Sequence, residues 1–277
     1  RREEIDPWLT TREREQTYWA NQDMRWSYNE RRYKKLLQYH PGGLLLYLYG
    51  NSGQVEHLFD LFRKVFEAIA EQGVNAEERG YLSGIVRRVD EQYYTDEWAK
   101  CCLLLYKKEL LQKPPLCLQR LFFRHPDKMK MFLEENPSRS FDVENDYYLP
   151  EEAYQDKRAF DCWAECLYEE FPEILGYIMG KSCNGKDGAF PHEFIREFLE
   201  KQQNEKLTKA VFYGKFNSRG ARIVQDGRTL YEQAKCYRAQ ARELRLKFPQ
   251  SAKILLQLAK WMESEAQHDQ LEAEIVP

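Results

Sequence analysis

Residues 228–266 read RTLYEQAKCYRAQARELRLKFPQSAKILLQLAKWMESEA. Leu230, Ala234, Tyr237, Ala241, Leu244 and Phe248 recur at steps of four and three, which makes one apolar stripe on a helix over 228–247. A second stripe runs Ala252, Leu255, Leu258, Met262, Ala266. Between them stands Pro249, which lacks a backbone donor and fits only a first helical turn, so one helix stops and the next begins. The spacing predicts an antiparallel helical hairpin.

The same pattern continues upstream. Helices are predicted over 28–39, LLLYLY at 44–49, 55–71, 76–92, 96–112, 116–123, 126–135, 150–170 and 172–179, with Pro and Gly at the joints. Strict alternation of the kind a half-buried strand needs is scarce. The fold class is therefore all-α. Helices of unequal length joined by short turns predict an α-solenoid-like stack of antiparallel helix pairs, HEAT/TPR-like with degenerate repeats, since no repeat signature recurs at a fixed period. The polar stretch NPSRSFDVENDYY at 136–148 marks a boundary, giving an N-terminal helical part over 1–143 and a C-terminal part over 144–277 that ends in the long hairpin.

The chain has 277 residues, 43% hydrophobic, 31% charged and 14% aromatic, a composition that folds. No apolar run approaches the roughly 20 residues of a membrane span. It starts at Arg1 with no charged and apolar leader, and its seven cysteines are odd in number and unevenly placed. These features lead us to expect reduced thiols, a cytoplasmic location and a piece of a longer protein. Net charge is −3, but 206–260 holds thirteen Lys and Arg against three acids, whereas 261–277 holds five acids and no base.

Motifs that suggest chemistry fail on spacing. In GYIMGKS, Gly176 precedes Gly180 by four positions where a phosphate loop needs five, so Gly180 reads as a helix C-cap. His192-Glu193 opens HEFIRE, but the second zinc ligand of such a helix would fall on Arg196. GNSG at 50–53 misses the nucleophile-elbow pattern by one residue. Cys162 and Cys166 can share a helix face, and two thiols alone make an incomplete metal site, so both are expected to be small buried hydrophobes. No cofactor, metal or catalytic residue is predicted. An enzyme would need converging groups, and Asp187 with His192 is the pair to examine.

The basic block interleaves Lys and Arg with Tyr and Phe, a composition able to neutralise phosphates and stack bases. Its helix also needs a solvated face, and the acidic tail is at hand to pair with it. The candidate partner-binding residues are Asn217, Arg219, Arg222, Arg228, Arg238 and Arg242, with the loop 184–191 as a second contact.

LGYIMGKSCNGKDGAFPHEFIREFLE and the following FYGKFNSRGARIVQDGRTLYEQAK carry a DG-x-x-P-H-E segment before a helix and an N-x-R-G turn. Over 175–266 the chain resembles the helical C-terminal region of large bacterial defence proteins of the antiviral STAND type, in which a nucleotide-switched ATPase is joined to a helical-repeat sensor. The chain lacks the Walker motifs and effector motifs of a complete protein of that kind. The resemblance thus implies the recognition part alone: a non-catalytic binding or sensing module whose partner is a protein, such as a viral one, or other domains of its parent. The alternative is a nucleic-acid-binding helical domain using 206–260.

Overall fold

The structure, a computed structural model, describes residues 36–139, 143–144, 146–218 and 227–275. Among them every regular element is helical and there is no strand. The chain divides into two compact units, Arg1–Leu118 and Gln119–Pro277. The stretch 136–148, expected to separate two parts, lies within the second unit, where Val143 and Tyr147 are buried and the Tyr147 hydroxyl donates to the Gln119 carbonyl at 2.9 Å.

The first unit holds α1 (Gly43–Gly50), α2 (Val55–Gln72), α3 (Ala76–Asp90) and α4 (Asp96–Lys107), with α1 packed on α3 and α2 on α4. Helix α2 buries Leu61, Phe62, Val65, Phe66 and Ile69 at helical spacing and ends at Gly73, whose φ of 80° only glycine adopts without strain. Asn75 starts α3 through a capping box with Glu78. Phe62 and Phe66 meet Trp98 at 6.0 and 5.5 Å between ring centroids. The Trp98 indole donates to Asp90 at 2.9 Å and the Cys117 amide donates to its other oxygen at 3.2 Å. Burial pushes the Asp90 carboxyl pKa up, and these donors offset part of that cost.

Helix α5 (Leu116–Arg124) spans the division between the units. The second unit continues with α6 (Pro126–Glu135), α7 (Lys157–Tyr168), α8 (Pro172–Gly180), α9 (Glu193–Gln202), α10 (Glu205–Asn217), α11 (Arg228–Leu244) and α12 (Pro249–Ile275). Proline stands at the first position of α6, α8 and α12, as predicted. The helix predicted over 150–170 is broken, because Asp156 accepts from the amides of Arg158 and Ala159 and so caps α7, leaving a 3-10 turn at Glu151–Tyr154 before it. The predicted helix over 96–112 stops at Lys107, where Glu109 turns to φ 59°.

The predicted hairpin is present. Leu230 and Ala234 of α11 pack with Ala259, Met262 and Ala266 of α12, which places the start of one helix beside the far half of the other. Helix α12 also packs on α9 and α10, burying Ser251, Ile254 and Leu258 as well as Leu255 and Met262. Its first amides, at Gln250 and Ser251, are capped from another helix by the Glu200 carboxylate of α9 at 2.7 and 3.3 Å.

Helices α8 and α10 approach until backbone touches backbone. A Cβ added at Gly180 would lie 2.3 Å from the Val211 carbonyl oxygen, one at Gly176 would lie 2.7 Å from the Leu207 oxygen, and one at Gly214 would lie 2.2 Å from the Tyr177 oxygen. Gly180 is therefore the last residue of α8, required by packing; it does not cap the helix in the left-handed conformation that its sequence context suggested. Gly180→Ala is expected to lower the stability by about 1–3 kcal/mol through overpacking. Gly50→Ala, where an added Cβ meets nothing within 4 Å, should stay within about 0.5 kcal/mol. Equal urea midpoints for the two variants would contradict the close contact.

Candidate functional site

Two regions of the second unit collect the residues singled out from sequence. The first is the loop 181–192 with the start of α9. Arg196, only 2% exposed, reaches back from α9 and pairs through both terminal nitrogens with the Asp187 carboxylate at 2.7 and 2.8 Å. That pairing holds the Asp187 carboxyl below its ordinary range. The Ala189 amide donates to Asp187, the Lys186 amide to Glu193, and the Gly185 amide to the Ala189 carbonyl. A Cβ at Gly185 would come within 2.6 Å of both the Glu193 carboxylate and the Arg196 guanidinium, and Gly188 sits at φ 76°, so both turns require glycine. Gln240 of α11 donates to the Gly188 carbonyl and accepts from the Phe190 amide.

Asp187 and His192 do not form a pair. His192 is buried, caps α9 through Nδ1, and meets Tyr154 at a tilt and Phe194 edge to face; burial pushes its pKa down, and its Nε2 lies 3.4 Å from Glu193. His192 is thus a buried cap at the start of α9. Asp187 is committed to Arg196, and Asp187 is itself 52% exposed. The arrangement staples a loop onto two helices.

Lys181 of the near-miss phosphate motif donates to the Glu144 carbonyl and lies 4.8 Å over the Tyr148 ring. Burial pulls its ammonium down to about 8, against the opposing attraction of Asp146 and Glu144. It tethers a preceding segment; the amides and glycines of a phosphate cradle are not arranged around it. Cys162 is exposed and Cys166 half-buried, which corrects the expectation that both are core residues. Among the described residues no three His, Cys, Asp or Glu side chains converge to hold a metal ion.

The second region is the α11–α12 hairpin. Lys235, Arg238, Arg242 and Arg245 follow one another at steps of three and four along one flank of α11. Arg238 is paired in bidentate fashion with Glu263 of α12 at 2.7 and 2.6 Å, so the acidic tail does engage the basic block there. Arg242 and Lys235 are exposed. Arg228 lies exposed at the opposite end of α11, and Asn217 ends α10, so neither joins the flank. Arg219 and Arg222 lie outside the described residues. Sequence reading missed Leu246, 95% exposed at the bend between Arg245 and Lys247, and Leu256, also exposed two turns into α12. Their signal was their position off the buried stripes, Leu246 midway between Leu244 and Phe248 and Leu256 one past Leu255.

Comparison with protein-family models, with curated proteins and with solved structures finds no match.

Two measurements test this geometry. Asp187→Asn leaves a buried guanidinium without its partner and is expected to cost about 2 kcal/mol, whereas Arg196→Met, which removes the buried charge itself, costs less; the reverse order in thermal melts would contradict the staple. For Lys181, the folded pKa of about 8 lies below the ordinary 10.5. Between these values the unfolded chain holds a proton that the folded chain has released, so stability rises with pH through that window. Relative to Lys181→Met the rise is on the order of 2 kcal/mol; a flat difference in denaturation free energy between pH 8 and 10.5 would refute it.

Proposed function

We propose that this chain is a non-catalytic helical binding module whose contact surface is the bend and basic flank of the α11–α12 hairpin. The carrying observation is Leu246, fully presented at the bend and set between Arg245 and Lys247. An apolar anchor rimmed by arginine and lysine has the make-up of a protein-binding surface, in which the anchor enters a pocket and the rim steers an acidic partner. A phosphate backbone has no use for the leucine. Arg238, which a nucleic-acid site would need, already shares its donors with Glu263, and Glu232 and Glu243 are exposed on the same helix. These features favour an acidic protein over DNA or RNA.

The hairpin is also the unit from which a helical-repeat stack would be built, and the resemblance over 175–266 supports placing the module as the recognition part of a larger bacterial defence or signalling protein. In that reading the nucleotide switch and the effector belong to other parts of the parent.

The test uses the whole chain. A photo-crosslinking side chain at Leu246 is expected to capture an acidic protein, whose affinity for the unmodified chain falls about tenfold with Leu246→Asp or Arg242→Glu. Short DNA and RNA, double- and single-stranded, are expected to bind weakly and equally to wild type and Arg242→Glu. Tight binding of nucleic acid that collapses with salt and is lost in Arg242→Glu would replace this reading with the nucleic-acid one.

A further inference from the structure

Helix α9 starts at His192 in a way that admits one protonation state. The side chain turns back on the helix so that Nδ1 accepts from the Phe194 amide at 3.4 Å. Nδ1 accepts only while it carries no proton, so this cap assigns the ring's hydrogen to Nε2, which lies 3.4 Å from the Glu193 carboxylate. The residue is 4% exposed. Its ring is wedged between Tyr154, 4.9 Å away on the 3-10 turn before α7, and Phe194, edge to face at 4.8 Å.

The charges facing this ring among the described residues already balance without it. The loop supplies Lys186 and Asp187, and α9 supplies Glu193 and Arg196. The remaining neighbours add no free charge in acid: the Tyr154 phenol, the Cys183 thiol, the Gln240 amide of α11, and Lys157 of α7, which lies beyond the Phe194 ring and is bound to Asp161. Both carboxylates are engaged, Asp187 by the two terminal nitrogens of Arg196 and Glu193 by the Lys186 amide. The buried Arg196 Nε has no acceptor among the described residues. A proton on His192 therefore adds an unbalanced buried cation beside a guanidinium. It also turns Nδ1 into a donor aimed at the Phe194 donor and at the positive end of the α9 dipole. Burial holds the imidazole below its ordinary range, with the Glu193 charge opposing and Arg196 reinforcing.

We propose that His192 makes the loop 181–192 an acid-sensitive latch: neutral, it closes the loop onto α9, and protonated, it opens the start of α9 and the loop with it. Opening releases the Lys186 and Ala189 amides from Glu193 and Asp187, the Gly185 amide from the Ala189 carbonyl, and the loop's two hydrogen bonds with Gln240 of α11. Below 6.5, the ordinary value, an opened chain takes up a proton that the closed loop resists, so the closed state loses stability as pH falls. Asp187 and Glu193 are both held below their ordinary ranges of 3.8 and 4.5 and keep their charge through this window, so their titration is not what opens the loop. The latch belongs to the loop and does not depend on the binding role assigned to the hairpin.

NMR of the whole chain tests it, through the His192 imidazole titration and amide hydrogen exchange at about pH 7.5 and 5, corrected for the intrinsic rate. His192 is expected to titrate below 6.5. The Lys186, Ala189 and Phe194 amides lose about fivefold or more of their protection in acid, the worth of a helix N-cap, while Leu255 and Leu258 of α12 keep theirs. His192→Asn supplies a cap that does not titrate, and its loop amides are expected to be equally protected at both pH values. A wild-type His192 that titrates at 6.5 or above, loop protection unchanged by acid, or a folded His192→Asn chain that opens in acid as the wild type does would each overturn the proposal. The wild-type titration and exchange decide it even where His192→Asn does not fold.

Discussion

The contact on which the second unit depends is one where no side chain fits. Helices α8 and α10 meet through Gly176, Gly180, Ala210 and Gly214, and the neighbours of a hypothetical Cβ on the glycines there are backbone atoms and the Ala210 methyl, none of which can step aside as a flexible side chain can. The close approach fixes α10, and α10 supports α12, which also carries α9 and α11. A helix pair at ordinary distance would displace the long α12 and with it the hairpin. Three glycines that each weaken their own helix are thus offset by the dispersion contacts that short separation allows.

Around that packed frame, polar groups that resemble chemistry in the sequence are spent on holding segments in place. Arg196 binds Asp187 to close the 181–192 loop, Glu200 caps α12 from α9, Lys181 holds the Glu144 carbonyl, and in the first unit Asp90 receives an indole and an amide. Each satisfies a buried or half-buried donor or acceptor that would otherwise be costly. Among the exposed side chains, Lys235, Arg242 and Leu246 lie together on one flank and one bend of the hairpin.

Most helices were legible because apolar spacing and proline placement are local signals: α6 matched its predicted bounds, and the stripes of α11 and α12 are the residues that pack. The break at Asp156 was readable as a cap but was overridden by a run of helix formers on either side. Gly180 illustrates the limit. Glycine before a turn signals a cap, and nothing in the neighbouring residues reveals that another helix, thirty positions on, presses against it. The same holds for the candidate site. Basic residues could be counted along the chain, but the pairing of Arg238 with Glu263 depends on the register of the hairpin, and the exposure of Leu246 on the direction in which the bend leaves α11.

Glycines inside helices occur on both α3 and α8, and what surrounds them differs. At α8 the glycines are crowded by backbone on every side that matters, so any larger residue conflicts with the fold itself. On α3 the two glycines differ: a Cβ at Gly84 would strike the Tyr49 ring at 2.7 Å, whereas one at Gly80 meets no described atom within 4 Å. Glycine at position 84 thus follows from packing inside the chain, as it does at α8, although glycine weakens a helix by about 1 kcal/mol relative to alanine.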